Sequence, residues 1–237
     1  MGAKALGRWG RQMVFGLTVA AVAVCLSGKT ASAQSRMDLL GGYSYGSDGL
    51  SFYCGYGCGN GLQGYAADFT YNLSPYIGLE GAFTGHRGSG ALESEVATSS
   101  NNGYSDNESE TMYVYTFGPR LTLPARNFTL FTHLLAGGLH MSDNYSNTCI
   151  PATGSSPDCY STETGKFYGS GFAFKTGGGV NWNHGAWGIR LLELNYVHGE
   201  MPLTETSNEY GQYHFQGSTS GFEMVTGVTF SIGTTER

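Results

Sequence analysis

Apolar and polar residues alternate with a period of two along most of the chain after residue 33, in eight separate stretches. They cover residues 37–45, 64–71, 76–85, 111–121, 128–140, 172–182, 187–198 and 221–232. A period of two belongs to β-strands, whose successive side chains point to opposite faces. In the sixth stretch Phe172, Phe174, Thr176, Gly178, Val180 and Trp182 share one face, with Ala173, Lys175, Gly177, Gly179 and Asn181 on the other. In the eighth, Phe222, Met224, Thr226, Val228, Phe230 and Ile232 stand opposite Glu223. In the second, Tyr65, Ala67, Phe69 and Tyr71 stand opposite Ala66, Asp68 and Thr70. Apolar-out and polar-in is the pattern of a membrane barrel, whereas a soluble barrel has the same period with its faces exchanged.

The connections favour the membrane. Residues 72–75, 122–127 and 183–186 make short joins, while the other four run to roughly 18, 25, 31 and 22 residues, in strict alternation. Outer-membrane barrels have short periplasmic turns and long outer loops, and an even strand number leaves both chain ends on the turn side. Tyr71 and Tyr76 flank the first short turn, Phe128 follows the second, and Trp182 and Trp187 flank the third. Rings gathered at one end predict an interfacial girdle. The expected fold is therefore all-β: an eight-stranded antiparallel transmembrane β-barrel in the cell outer membrane of a Gram-negative bacterium.

Residues 1–33 read as a cleaved signal peptide. Lys4, Arg8 and Arg11 precede an apolar run of 13 residues from Val14 to Leu26, and Ala31, Ser32 and Ala33 supply the small-residue cleavage pattern. That run is too short to cross a bilayer as a helix. Residues 34–237 are expected to form the barrel as one domain. The leader holds four of the twelve basic residues and none of the eighteen acidic ones, so the remainder carries 8 against 18. This acidic balance argues against nucleic acid as a partner. The 33 glycines after residue 33 argue against a helical domain and suit a strongly twisted barrel.

Over its whole mature length the chain resembles the small outer-membrane β-barrel proteins of the outer membrane protein A transmembrane-domain type. The resemblance rests on residues 64–71, on the repeated Gly-rich strands, and on the closing run Gly227, Val228, Thr229, Phe230, Ser231, Ile232. That run is similar to the C-terminal signal read by the barrel-assembly machinery, which the resemblance implies as a partner during biogenesis. Two departures stand out: the chain does not end on an aromatic residue, and Gly233 to Arg237 follow the signal. No peptidoglycan-binding domain is expected after the barrel.

Alternation turns Asp68, Glu80, Arg120, Lys175, Arg190 and Glu223 toward the lumen. Arg190 and Glu193 are three apart, so placing both inside requires a β-bulge near Leu191. Together these seven form an expected lumen charge network, either filling a narrow barrel or setting the selectivity of a small pore. His133 is read as a strand residue satisfied by the lumen. Cys54 and Cys58 lie in the first long loop, and Cys149 and Cys159 in the third. An oxidising compartment favours disulfides over zinc, and local pairing, 54 with 58 and 149 with 159, is the simplest of three connectivities. The second long loop carries Glu93, Glu95, Asp106, Glu108 and Glu110 against Arg87, and reads as a solvated acidic loop rather than a calcium site.

No metal, cofactor or catalytic residue is predicted. His140 and Ser142 loosely resemble the His-x-Ser pair of lipid A deacylase barrels, but no orienting acid can be assigned. The expected role is structural or surface-interactive, for a monomer in contact with outer-membrane lipid and lipopolysaccharide. A narrow small-solute channel, a lipid-modifying enzyme and a soluble periplasmic barrel are the alternatives.

Overall fold

A computed structural model describes residues 35–50, 61–95, 103–150, 162–209 and 211–234. The expected leader, and with it Trp9, lies outside this set. Eight strands close into an antiparallel barrel in sequence order: β1 (Ser35–Gly46), β2 (Leu62–Asn72), β3 (Ile77–Glu95), β4 (Gly103–Pro124), β5 (Phe128–Ile150), β6 (Thr162–His184), β7 (Trp187–Ser207) and β8 (Gly211–Thr234). β8 returns to β1, from the pair Met37 and Ile232 to the pair Gly46 and Glu223, so no sheet edge is left open.

The sheet faces are set by the alternation. On β8, Phe222, Met224, Val228, Phe230 and Ile232 are exposed, while Glu223, Val225 and Thr229 between them are buried. On β4, Tyr113, Tyr115, Phe117 and Leu121 point out, and Val114, Thr116 and Arg120 point in. Large apolar side chains therefore cover the outside and charged ones occupy the inside, the inverse of a soluble barrel. The apolar belt on β8 spans residues 222–232, the length a tilted strand needs to cross the hydrocarbon layer. Closer to the outer end the outward positions of β8 become Ser220, Ser218, Gln216, His214 and Gln212.

The turns are compact. Ser74 Oγ accepts from the backbone N–H of Ile77 at 3.1 Å in the first, and Gly185 takes φ +66° in the two-residue turn between β6 and β7. Neighbouring turns are stitched together, with Asn183 N–H donating to Asn127 C=O and Ser231 N–H to Ala186 C=O, both at 2.8 Å.

Strand length departs from the sequence reading. β3 to β8 run well past the expected outer ends, to Glu95 on β3, from Gly103 on β4 and to Ile150 on β5. Beyond the bilayer both faces of a strand meet polar surroundings, so apolar alternation stops although the hydrogen-bond ladder continues. Much of the expected loop sequence is thus a barrel wall that rises beyond the membrane. Glu108 and Glu110 lie in that wall and point inward, buried, rather than in a solvated loop. Glu93, Glu95 and Asp106 belong to its strands.

Candidate functional site

The chemistry-bearing side chains converge in the lumen. Asp68, Glu80, Arg120, Lys175, Arg190, Glu193 and Glu223 all point inward and are buried. Arg190 and Glu193 both reach the inside because the ladder between β7 and β8 shifts register between them, leaving Leu191 and Leu192 both exposed.

These groups form one connected set. Arg190 donates to Asp68 and to Glu193, and its Nε donates to Asn181 Oδ1 at 3.1 Å. Arg120 donates to Glu80 Oε2 at 3.1 Å and to Thr70 Oγ1 at 3.2 Å. Lys175 Nζ lies 2.6 Å from Glu223 Oε2. Both guanidinium groups stand over the ring of Phe131, at 3.8 Å for Arg120 and 4.6 Å for Arg190. His133 bridges the halves of the set, with Nδ1 3.1 Å from Glu80 Oε1 and Nε2 2.9 Å from Asn195 Oδ1. The Asn195 amide nitrogen donates to Glu193 Oε1 at 2.6 Å and Glu223 Oε2 at 3.0 Å, which fixes its oxygen toward His133. Ser44 donates to Glu223 Oε1 at 3.2 Å and lies 2.8 Å from His86 Nε2.

Two layers flank this set. On the outer side Leu62, Met112, Val114, Leu139, Met141, Val197, Met201 and Leu203 form an apolar cluster within the barrel. Leu50 joins it: a 3-10 turn at Asp48–Leu50 folds back, and Thr219 Oγ1 donates to the Leu50 carbonyl at 2.6 Å. At the turn end an open cavity of about 680 Å³ is lined by Asp38, Arg120, Thr122, Asn181, Asn183 and Thr229, among others.

Sequence reasoning omitted Asn181, Asn195, Ser44, His86 and Phe131 from the network. Asn195 was within reach of it, since the position two after Glu193 shares its face. Ser44 and His86 meet only because Gly64 lies between them in the ladder, which no local pattern announces.

The other candidates fall elsewhere. At the turn end Trp182 and Trp187 meet edge-to-face at 5.7 Å, Phe128 pairs with Trp182, and Tyr76 is exposed beside the first turn. The Tyr71 hydroxyl accepts from Arg36 Nη2 at 2.9 Å. His140 points outward and its Nδ1 lies 2.8 Å from Ser170 Oγ on β6, not on Ser142. The same cross-strand pairing recurs at His198 with Ser220, 2.7 Å apart. Cys149 lies near the outer end of β5 and is not a free thiol. Cys54, Cys58 and Cys159 lie outside the described residues.

An even-stranded closed barrel with an apolar belt, an aromatic turn end and strand termini on the short-turn side is an outer-membrane barrel. No protein-family model and no curated protein sequence matches the chain. Among solved structures it is similar to the attachment invasion locus protein Ail of Yersinia pestis, at 16% identity over 83% of this chain and 99% of that one, with TM-score 0.48. A major outer membrane protein from Thermus thermophilus is similar at 6% identity over 81% and 98% of the two chains, with TM-score 0.42. The outer membrane protease OmpT from Escherichia coli is similar at 9% identity over 86% and 99%, with TM-score 0.38.

Proposed function

We propose that this protein is a monomeric, non-conducting outer-membrane barrel whose function resides in the acidic wall and loops it holds outside the bilayer. The observation that carries this reading is the double filling of the lumen. Ions crossing it would have to separate the paired charges around Arg190 and Glu223 and then pass the layer of Leu139, Met141 and Met201. Neither layer is easily parted: paired buried charges are costly to uncouple, and an apolar constriction excludes water. Pairing of Cys54 with Cys58 and of Cys149 with Cys159 would pin the first and third loops, and lipopolysaccharide would surround the belt.

Two measurements test the proposal. Unboiled protein from purified outer membranes is expected to migrate differently in a detergent gel from boiled protein, as a closed barrel does. In planar bilayers the purified barrel is expected to be silent; discrete conductance steps altered by Arg120→Ala would make it a channel instead.

A further inference from the structure

In the wall above the apolar layer, β4 and β5 bring two buried carboxyl groups together, with no counter-charge beside them among the described residues. Glu108 and Asp143 are 6% and 0% exposed, and among the described residues no side-chain donor reaches an oxygen of either. Glu108 pairs in the ladder with Tyr145, and Glu110 with Asp143, so Glu108 and Asp143 are diagonal neighbours on the inner face. Below them on their own strands are Met112 and Met141, both buried in the apolar cluster. Opposite β4, β3 presents Gly88 to Glu110 and Gly90 to Glu108; opposite β5, β6 presents Phe167 to Asp143 and Gly165 to Tyr145. Lys166, between those two, is exposed. Among the described residues, the titratable groups on this inner surface are thus Glu110 on β4, Tyr145 on β5, whose hydroxyl donates to Glu205 on β7 at 2.9 Å, and Glu163 on β6, which accepts from Ser207 Oγ at 3.0 Å. None of them is a cation.

Two adjacent carboxylates cannot both stay ionised in such surroundings without a cation or a proton between them. Among the described residues no three His, Cys, Asp or Glu side chains are placed to hold a metal ion. We infer that Glu108 and Asp143 share a proton and act as a pH-dependent clasp between β4 and β5, closed while the proton is present and released when it leaves. Burial first, and then the Asp143 carboxyl beside it, push the Glu108 carboxyl up to about 8. Burial also raises the Asp143 carboxyl. The clasp therefore holds at neutral pH and opens on the alkaline side, loosening the part of the wall that carries the outer loops.

Carboxyl carbon NMR of the folded barrel in detergent micelles tests the pair, with E108Q and D143N as variants. One carboxyl signal is expected to titrate near pH 8 in the wild type, to be absent from E108Q and to move toward the ordinary carboxylate range in D143N. Wild-type carboxyls that all titrate in the ordinary range, or an alkaline step that survives both substitutions, would overturn the inference. Amide exchange at Ser109, Glu110 and Asn144 reads the clasp itself. Corrected for intrinsic base catalysis, it is expected to speed up by as much as about tenfold per pH unit through the transition, because one proton is released on opening. In E108Q the corrected rates are expected to be flat with pH; a wild type that is equally flat would leave the pair without a mechanical role and refute the clasp.

Discussion

His133 on β5 and Asn195 on β7 meet at 2.9 Å although a whole strand, β6, lies between them. The residue in register with both is Gly177, and its missing side chain is the gap through which they touch. A β-carbon at Gly177 would stand 2.2 Å from Asn195 Oδ1 and 2.2 Å from the Leu194 carbonyl oxygen. Ser44 and His86 meet across β2 in the same way, over Gly64. In a narrow barrel, inner-face glycines let side chains from next-nearest strands bond directly, and so join pairs into a network.

Gly177→Ala is therefore expected to separate His133 from Asn195 and to destabilise the barrel by about 1–3 kcal/mol, the usual cost of overpacking a filled interior. Urea unfolding in lipid vesicles measures it. Gly185→Ala is not a fair control, because Gly185 has positive φ. Gly41→Ala is one, since nothing lies within 4 Å of the added carbon. Equal midpoints for Gly177→Ala and Gly41→Ala would remove the role assigned to the gap.

Arg190 is the only cation bonded to Asp68 or Glu193 among the described ion pairs, apart from His133 at 4.0 Å from Glu193. Arg190→Met is expected to cost about 3–5 kcal/mol, because it strands buried carboxylates. Adding Asp68→Asn and Glu193→Gln to Arg190→Met should recover a good part of that loss. A triple variant as unstable as the single one would mean that packing of the Arg190 side chain on Phe131, not charge, is what matters.

The strand count and the inward charges were legible because the bilayer imposes a strict two-residue alternation from Phe222 to Ile232 and its counterparts. The long joins were not: the roughly 22 residues expected between the last two strands are mostly ladder, leaving only 208–210 between β7 and β8. The bulge was legible too, since Arg190 and Glu193 cannot otherwise share a face. What lay beyond the belt was not. From Thr162 to Gly171 on β6 the outward residues include Thr164, Lys166, Tyr168 and Ser170, a polar run that reads as loop yet is held in the ladder by β5 and β7. Asn195 joining Glu193, Glu223 and His133 depends on three strands at once, and Leu50 enters the lumen from a segment with no periodicity at all.

Trp182 and Trp187 are the only tryptophans after residue 33, so the tryptophan fluorescence of residues 34–237 reports the turn end alone. Interfacial placement predicts stronger quenching by lipids brominated near the carbonyls than by lipids brominated at the chain ends. Trp187→Phe should keep that depth dependence with reduced intensity. Quenching by aqueous iodide but by neither lipid would place these rings in water and refute the girdle.

Stability should fall as pH rises, in a window set by Glu108. Its carboxyl titrates at 4.5 in an unfolded chain and near 8 in the folded one, so between these values the folded state holds more protons. The slope of unfolding free energy with pH follows protons bound unfolded minus folded, and is negative here. The contribution is complete below the unfolded value and is lost as pH climbs through the folded one. The comparison that isolates it is wild type against E108Q, since every other titrating group is common to both. Relative to E108Q, the wild-type urea midpoint is expected to drop between mildly acidic and alkaline buffers. A difference that stays constant with pH would show that Glu108 titrates alike in both states, and one that grows with pH in favour of the wild type would mean that its carboxylate has a cationic partner.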